Sequence, residues 1–130
     1  WQSALIPSYY KNEYEGVSEF YKKVKSVLVV HDLDNYSKVD RSDLVKMGVE
    51  IDPNIKGNKL NIYDVASYNA DAILIMDRPG EKISSKLLKK AAFKDNQKKV
   101  TVFEQNDLED IDFYAMTESL NQIVSDITSK

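Results

Sequence analysis

Strongly apolar runs alternate along this chain with segments whose apolar residues follow helical spacing, and this alternation constrains the fold most. Val27–Val30 and residues 70–76 have the composition of buried strands, and residues 99–103 form a third run. Parallel strands joined by helical crossovers produce this order, because each helix returns the chain to the starting end of the next strand.

The intervening segments contain helical signals. Val17, Phe20, Tyr21 and Val24 share one helical face, and Gly48 is a natural stop for a helix that begins near residue 41. Further helices are predicted over residues 59–69, 81–93 and 113–127, and a short strand over 49–51. We therefore predict an α/β fold: a doubly wound, flavodoxin-like three-layer sandwich with a mostly parallel sheet of four or five strands.

The length and composition fit one globular domain. The chain has 130 residues, of which 42% are apolar and 30% charged. Residues 1–16 are rich in aromatic side chains and are interpreted as an irregular N-terminal arm or linker, and residues 17–130 as a single α/β domain. Because cysteine is absent, disulfides and thiolate-bound metals are excluded.

Charge and hydropathy limit the partners that we expect. The net charge of −3 predicts no binding to nucleic acid, and no apolar run approaches the roughly 20 residues of a transmembrane segment. A protein partner is expected, bound through the last helix or through Tyr9, Tyr10 and Tyr14 of the arm. A cytoplasmic location is favoured, and an extracytoplasmic one stays open because the chain begins with Trp1.

Acidic residues follow two of the apolar runs, where α/β proteins often bind ligands. Asp32 and Asp34 follow the first run, and Asp77 follows the run over residues 70–76. Together these carboxylates could hold a Mg²⁺ ion, which prefers oxygen ligands, and no other cofactor is expected. The alternative interpretation is that they are solvated acids or caps. His31 is the single histidine and is expected to have a structural role rather than a catalytic one.

Two segments resemble the receiver domain of response regulators: "VLVVHDLDNYSKVDRSDLVKMGVEI" and "ADAILIMDRPG". The resemblance places His31 and Asp32 at the acidic pair of the family and Asp77 at its phosphoacceptor. Glu104 and Gln105 stand where the family has threonine or serine, and no lysine occurs near Met116. The resemblance therefore implies a degenerate pseudo-receiver, which is a non-catalytic regulatory or protein-interaction domain in signalling.

Two other functions remain open. The first is an extracytoplasmic envelope interaction module of the lipoprotein type. The second is a Mg²⁺-dependent phosphatase-like enzyme, because "HDLDNY" resembles the D-x-D opening of haloacid-dehalogenase-type phosphatases. In that family the first aspartate is the nucleophile and the second is the general acid and base. The resemblance assigns these roles to Asp32 and Asp34.

Overall fold

The computed structural model describes residues 2–33, 37–106 and 112–129. Five strands occur in these ranges: β1 (Val27–Val30), β2 (Lys38–Asp40), β3 (Lys59–Asn61), β4 (Ala72–Asp77) and β5 (Val100–Glu104). The α-helices are α1 (Ile6–Tyr9), α2 (Glu19–Lys22), α3 (Arg41–Lys46), α4 (Ile62–Asn69), α5 (Ile83–Leu87), α6 (Ala91–Asp95) and α7 (Phe113–Thr128).

The main sheet is parallel and has the strand order β1-β4-β5. Val30 lies opposite Ile75, and Asp77 lies opposite Glu104. Helices pack on both faces of this sheet, so the predicted α/β class and its layered arrangement are confirmed. In the described ranges the parallel sheet has three strands rather than four or five.

The difference in strand number has a local cause. Residues 49–51, predicted as a strand, form no regular structure, and the two short strands β2 and β3 pair antiparallel in a separate ribbon. Arg41 holds the connection between these strands, because its Nε donates to the Gly57 carbonyl at 2.8 Å and its Nη2 donates to the Ile55 carbonyl. The ribbon therefore branches from the path between β1 and β4 and does not widen the sheet.

The two faces of the sheet bury separate apolar clusters. The first face carries Leu28, Val30, Ile73 and Ile75, and it is covered by the N-terminal helical segment and by α4, α5 and α6. The second face carries Ala72, Leu74 and Phe103, and it is covered by α7 through residues such as Met116, Leu120 and Ile123. Strand β4 lies between its two neighbours and is buried on both faces, as expected from its continuous apolar sequence.

The N-terminal segment is helical, so the expectation of an irregular arm is wrong. A 3-10 helix (Gln2–Leu5), α1 and a π-helix (Tyr10–Tyr14) follow one another directly. Ala4 and Leu5 are buried in the first-face cluster, and the Asn69 side chain donates to the hydroxyl of Ser8 at 2.8 Å. The division of the chain at residue 16 stays a prediction.

Two later segments are each predicted to form one helix, and only the second of them does so. The segment 81–93 contains α5 and the start of α6 rather than one helix, because Lys90, the residue directly before α6, is extended at ψ 139°. In contrast, α7 is a single helix of 16 residues whose first turn is capped by Asp112, which accepts from the Ala115 amide at 2.9 Å. Within the described residues, no helix is long and apolar enough to span a bilayer.

Candidate functional site

The carboxyl ends of β1, β4 and β5 lie at one edge of the parallel sheet, where ligands bind in open α/β folds. His31 and Asp32 follow β1, Asp77 ends β4, and Glu104 ends β5. The register brings the ends of β1 and β4 side by side, since Val30 is paired with Ile75. Sequence reasoning therefore selected residues that share one edge of the fold.

Asp77 is a buried structural acceptor at this edge. Its side chain is 2% exposed, and its Oδ1 accepts from the backbone amide of Ser84 at 2.8 Å. Its Oδ2 accepts a short hydrogen bond from the hydroxyl of the same serine. Both carboxylate oxygens are thus engaged in holding the first turn of α5 against the end of β4.

Asp32 has a different environment, because its side chain is exposed and bonds locally. Its Oδ1 accepts from the adjacent Leu33 amide at 2.7 Å, and the residue as a whole is exposed. In the described ranges no three His, Asp or Glu residues form a group that could hold a metal ion. Asp34 lies outside these ranges, so the Mg²⁺ site of Asp32, Asp34 and Asp77 stays a prediction.

The turn after β4 adds groups that the sequence interpretation did not single out. Arg78 and Glu81 bond to each other's backbone across Pro79 and Gly80, and the φ of 78° at Gly80 suits a type II turn. The Arg78 side chain is exposed at the end of β4. A charged residue directly after a buried strand is the signal that could have identified it.

The same edge includes a charged pair that joins two loops. The ammonium of Lys82 lies 3.2 Å from Oε1 of Glu104, at the end of β5. These residues line a shallow depression of about 210 Å³ together with Asp77, Arg78, Gln105 and Asn106. This surface offers positively charged hydrogen-bond donors, a negatively charged acceptor and neutral amide groups. Such a mixture can bind a ligand that carries many hydroxyl groups.

A larger groove of about 440 Å³ runs beside β1. One wall is formed by β1 itself, including Val27 and Val29, and the other by the N-terminal helix around Ala4 and Pro7. His31 is exposed at the end of this groove. The groove therefore leads along the strand to the carboxyl edge of the sheet.

The aromatic residues of the N-terminal segment form a cluster of their own. Tyr10 stacks on Tyr14 with a ring-centroid distance of 6.3 Å, and its hydroxyl donates to the Tyr21 carbonyl. Tyr9 packs partly buried against the first-face cluster. Binding of a protein partner through these tyrosines or through α7 stays a prediction.

Comparison with known proteins identifies the family. The family model described as the starch synthase catalytic domain matches residues 1–79, which is more than half of the chain. The chain belongs to this family. A glycogen synthase from Lachnospira eligens is 32% identical over 78 residues, which are 60% of this chain and 16% of that relative. The chain thus spans about a sixth of the length of this glycogen synthase, and no solved structure matches the chain.

Membership in the starch synthase family overturns the receiver interpretation. The pseudo-receiver, its signalling function and its regulatory role are wrong, and of that interpretation only the flavodoxin-like layering is compatible with the structure. The physical reason is that acidic residues follow buried strands in many unrelated α/β proteins. Asp77, placed at the phosphoacceptor position, is instead enclosed by its hydrogen bonds to Ser84.

The two alternative functions also fail to match. The phosphatase-like enzyme assigned Asp32 as a nucleophile, and the envelope module assigned the chain an extracytoplasmic binding role. Both are contradicted by the match to a starch synthase catalytic domain and to a glycogen synthase. The D-x-D spacing at Asp32 is too short a pattern to distinguish one sheet-edge chemistry from another.

Proposed function

We propose that this chain is part of the catalytic domain of a glucan-synthesising glycosyltransferase of the starch and glycogen synthase type. The observation that carries the proposal is that the family match over residues 1–79 includes β1, β4 and the residues that follow each strand. These strand ends form the sheet edge at which α/β enzymes bind their substrates. The names of the matching family and of the glycogen synthase relative supply the reaction class, which is the synthesis of starch or glycogen.

The exposed groups at this edge suit a sugar ligand. Asp32 has a carboxylate oxygen free of the local bond to Leu33 and can accept from a sugar hydroxyl. His31 can donate or accept, according to its tautomer, and the guanidinium of Arg78 can only donate. We assign to these three side chains the binding and orientation of the glucosyl group that is transferred.

The buried Asp77 and an exposed ion pair at the edge have a supporting role in this proposal. Asp77 fixes α5 through Ser84, and the ion pair between Lys82 and Glu104 links the turn after β4 to the end of β5. Because Asp77 is enclosed, it positions the turn that presents Arg78 and does not itself contact a sugar. A cytoplasmic location, favoured by the sequence, is part of the same proposal.

The test is glucosyl transfer by the full-length gene product, measured as incorporation of labelled glucose from an activated donor into glycogen. We expect His31→Ala and Asp32→Asn each to lower the transfer rate at least tenfold with an unchanged melting temperature. The matched control is Asp43→Asn, whose exposed carboxylate lies on α3 beside Lys46, away from the strand ends. Failure of the full-length protein to extend glycogen, or normal rates in both site variants, would overturn the proposal.

A further inference from the structure

Two large aromatic side chains are exposed at the start of α7. Phe113 is 67% exposed and Tyr114 is 78% exposed. The inner side of this helix is formed by Met116, Leu120 and Ile123, which pack against the second face of the sheet. Phe113 and Tyr114 therefore lie outside the core, and a pair of adjacent exposed rings is a candidate binding surface.

The direction of α7 places these rings at the carboxyl edge of the sheet. The C-terminal part of the helix, including Ile127, lines a cavity with Asp71, Ala72 and Thr101, at the amino ends of β4 and β5. The 16 residues of α7 span about 24 Å, whereas the 6 residues of β4 span about 20 Å. The first turn of α7 therefore lies at the opposite end of the sheet, which is the edge of the candidate site.

Exposed rings at this edge suit a glucan chain. Each glucose has faces made of C–H groups, which stack on the negatively polarised face of an aromatic ring. Consecutive helical positions are about 100° apart, so the two rings can contact different glucose residues of one chain. Asp112 and Glu118 are exposed nearby on the same end of α7, and their carboxylates can accept from sugar hydroxyls.

We propose that Phe113 and Tyr114 form a stacking subsite for the glucan chain that accepts the transferred glucosyl group. The inference rests on the proposed function, in which exposed side chains at the strand ends bind that glucosyl group at the same edge. It goes beyond the family match, because both rings lie outside residues 1–79. The subsite sets how tightly the acceptor is held, and not how fast a bound acceptor reacts.

The competing occupant of this surface is a protein partner. A sugar face stacks on any aromatic ring, whereas a protein interface depends on matching shape. Replacement of both residues by tryptophan therefore preserves a glucan subsite, and replacement of both by alanine removes it. The two double variants separate the two occupants.

The test uses the full-length gene product and two measurements with maltoheptaose as the acceptor. Calorimetry without a sugar donor gives its Kd, and glucosyl transfer gives its KM and kcat. We expect Phe113→Ala with Tyr114→Ala to raise Kd and KM roughly tenfold, which is about 1.4 kcal/mol, and to leave kcat unchanged. The double tryptophan variant should bind as tightly as the unmodified protein.

The matched control is Phe20→Ala. Phe20 is 71% exposed but lies on α2, which precedes β1 and is therefore at the amino edge of the sheet. We expect this variant to bind maltoheptaose normally. Unchanged Kd and KM in the double alanine variant of an active enzyme, or loss of binding in the double tryptophan variant, would overturn the subsite alone. Absence of glucosyl transfer by the unmodified protein would instead contradict the proposed function, and calorimetry would still judge the rings.

Discussion

Replacement of Asp77 by alanine tests whether this residue, at the end of β4, stabilises the first turn of α5 as a cap. Its side chain is 2% exposed and accepts from both the amide and the hydroxyl of Ser84. A hydrogen bond to a charged group contributes about 1.5–3 kcal/mol, and loss of a helix cap costs about 1 kcal/mol. We therefore expect Asp77→Ala to lower the free energy of unfolding by about 3 kcal/mol, which moves a urea midpoint by roughly 1–3 M.

A double-mutant cycle with Ser84 assigns this loss to the contact. Ser84→Ala removes the hydroxyl bond and leaves the amide bond, so we expect a cost of about 1.5 kcal/mol on its own. In the Asp77→Ala background the same change should cost less, with a coupling energy of at least about 1 kcal/mol. Urea unfolding followed by circular dichroism measures all four variants. A coupling below about 0.3 kcal/mol, or a cost of Asp77→Ala below about 1 kcal/mol, would refute the reasoning.

Three further predictions concern stability. Gly48→Ala should cost about 1 kcal/mol in urea unfolding, because φ is 77° there, and Gly16→Ala should be nearly neutral since it lacks that conformation. Lys99→Ala should lower the melting temperature more than Lys98→Ala, because the Lys99 ammonium donates to the last carbonyls of α4 at 3.1 and 3.3 Å. Burial raises the pKa of Asp64 above 3.8, although the nearby Lys90 acts to lower it. Ionisation of this carboxyl therefore costs stability as pH rises above 3.8, and in pH-dependent unfolding Asp64→Asn should remove that loss.

The parallel sheet could be predicted because each of its strands is an apolar run that is flanked in the sequence by more polar residues. In β4, burial on both faces leaves almost no polar residue between Ala72 and Met76, and this pattern has few other interpretations. Strands β2 and β3 escaped prediction because each has three residues, of which only Val39 and Leu60 are apolar. Their pairing depends on Arg41 and the loop that it holds, which is a tertiary contact.

The division between α5 and α6 could not be derived from the sequence for a similar reason. Lys90 precedes α6 and forms no side-chain capping hydrogen bond, and no glycine or proline marks the break. Its ammonium lies 3.9 Å from Oδ1 of Asp64 on α4, so the break lies where the chain makes a tertiary contact. Local propensity alone favours the continuous helix that we predicted.

The position of the candidate residues at the ends of the strands could be predicted from the sequence, but the environment of each side chain could not. Asp32 and Asp77 follow apolar runs in the same way, yet one is exposed and the other is enclosed by Ser84. No pattern in the sequence indicates this difference in burial, because the burial of Asp77 depends on the path of the chain after β4. The receiver resemblance rested on such shared strand-end acids, and the family match corrected it.

Different numbers of helices cover the two faces of the sheet, so the two faces differ in how easily local unfolding exposes them. On the first face several short helices share the burial, so a local opening of one of them exposes only part of the cluster. On the second face, in the described ranges, α7 alone shields Leu74 and Phe103. Fraying of one helix from its C-terminal end would therefore uncover an apolar strip in a single step, and proteolysis or aggregation of the 130-residue chain should begin there.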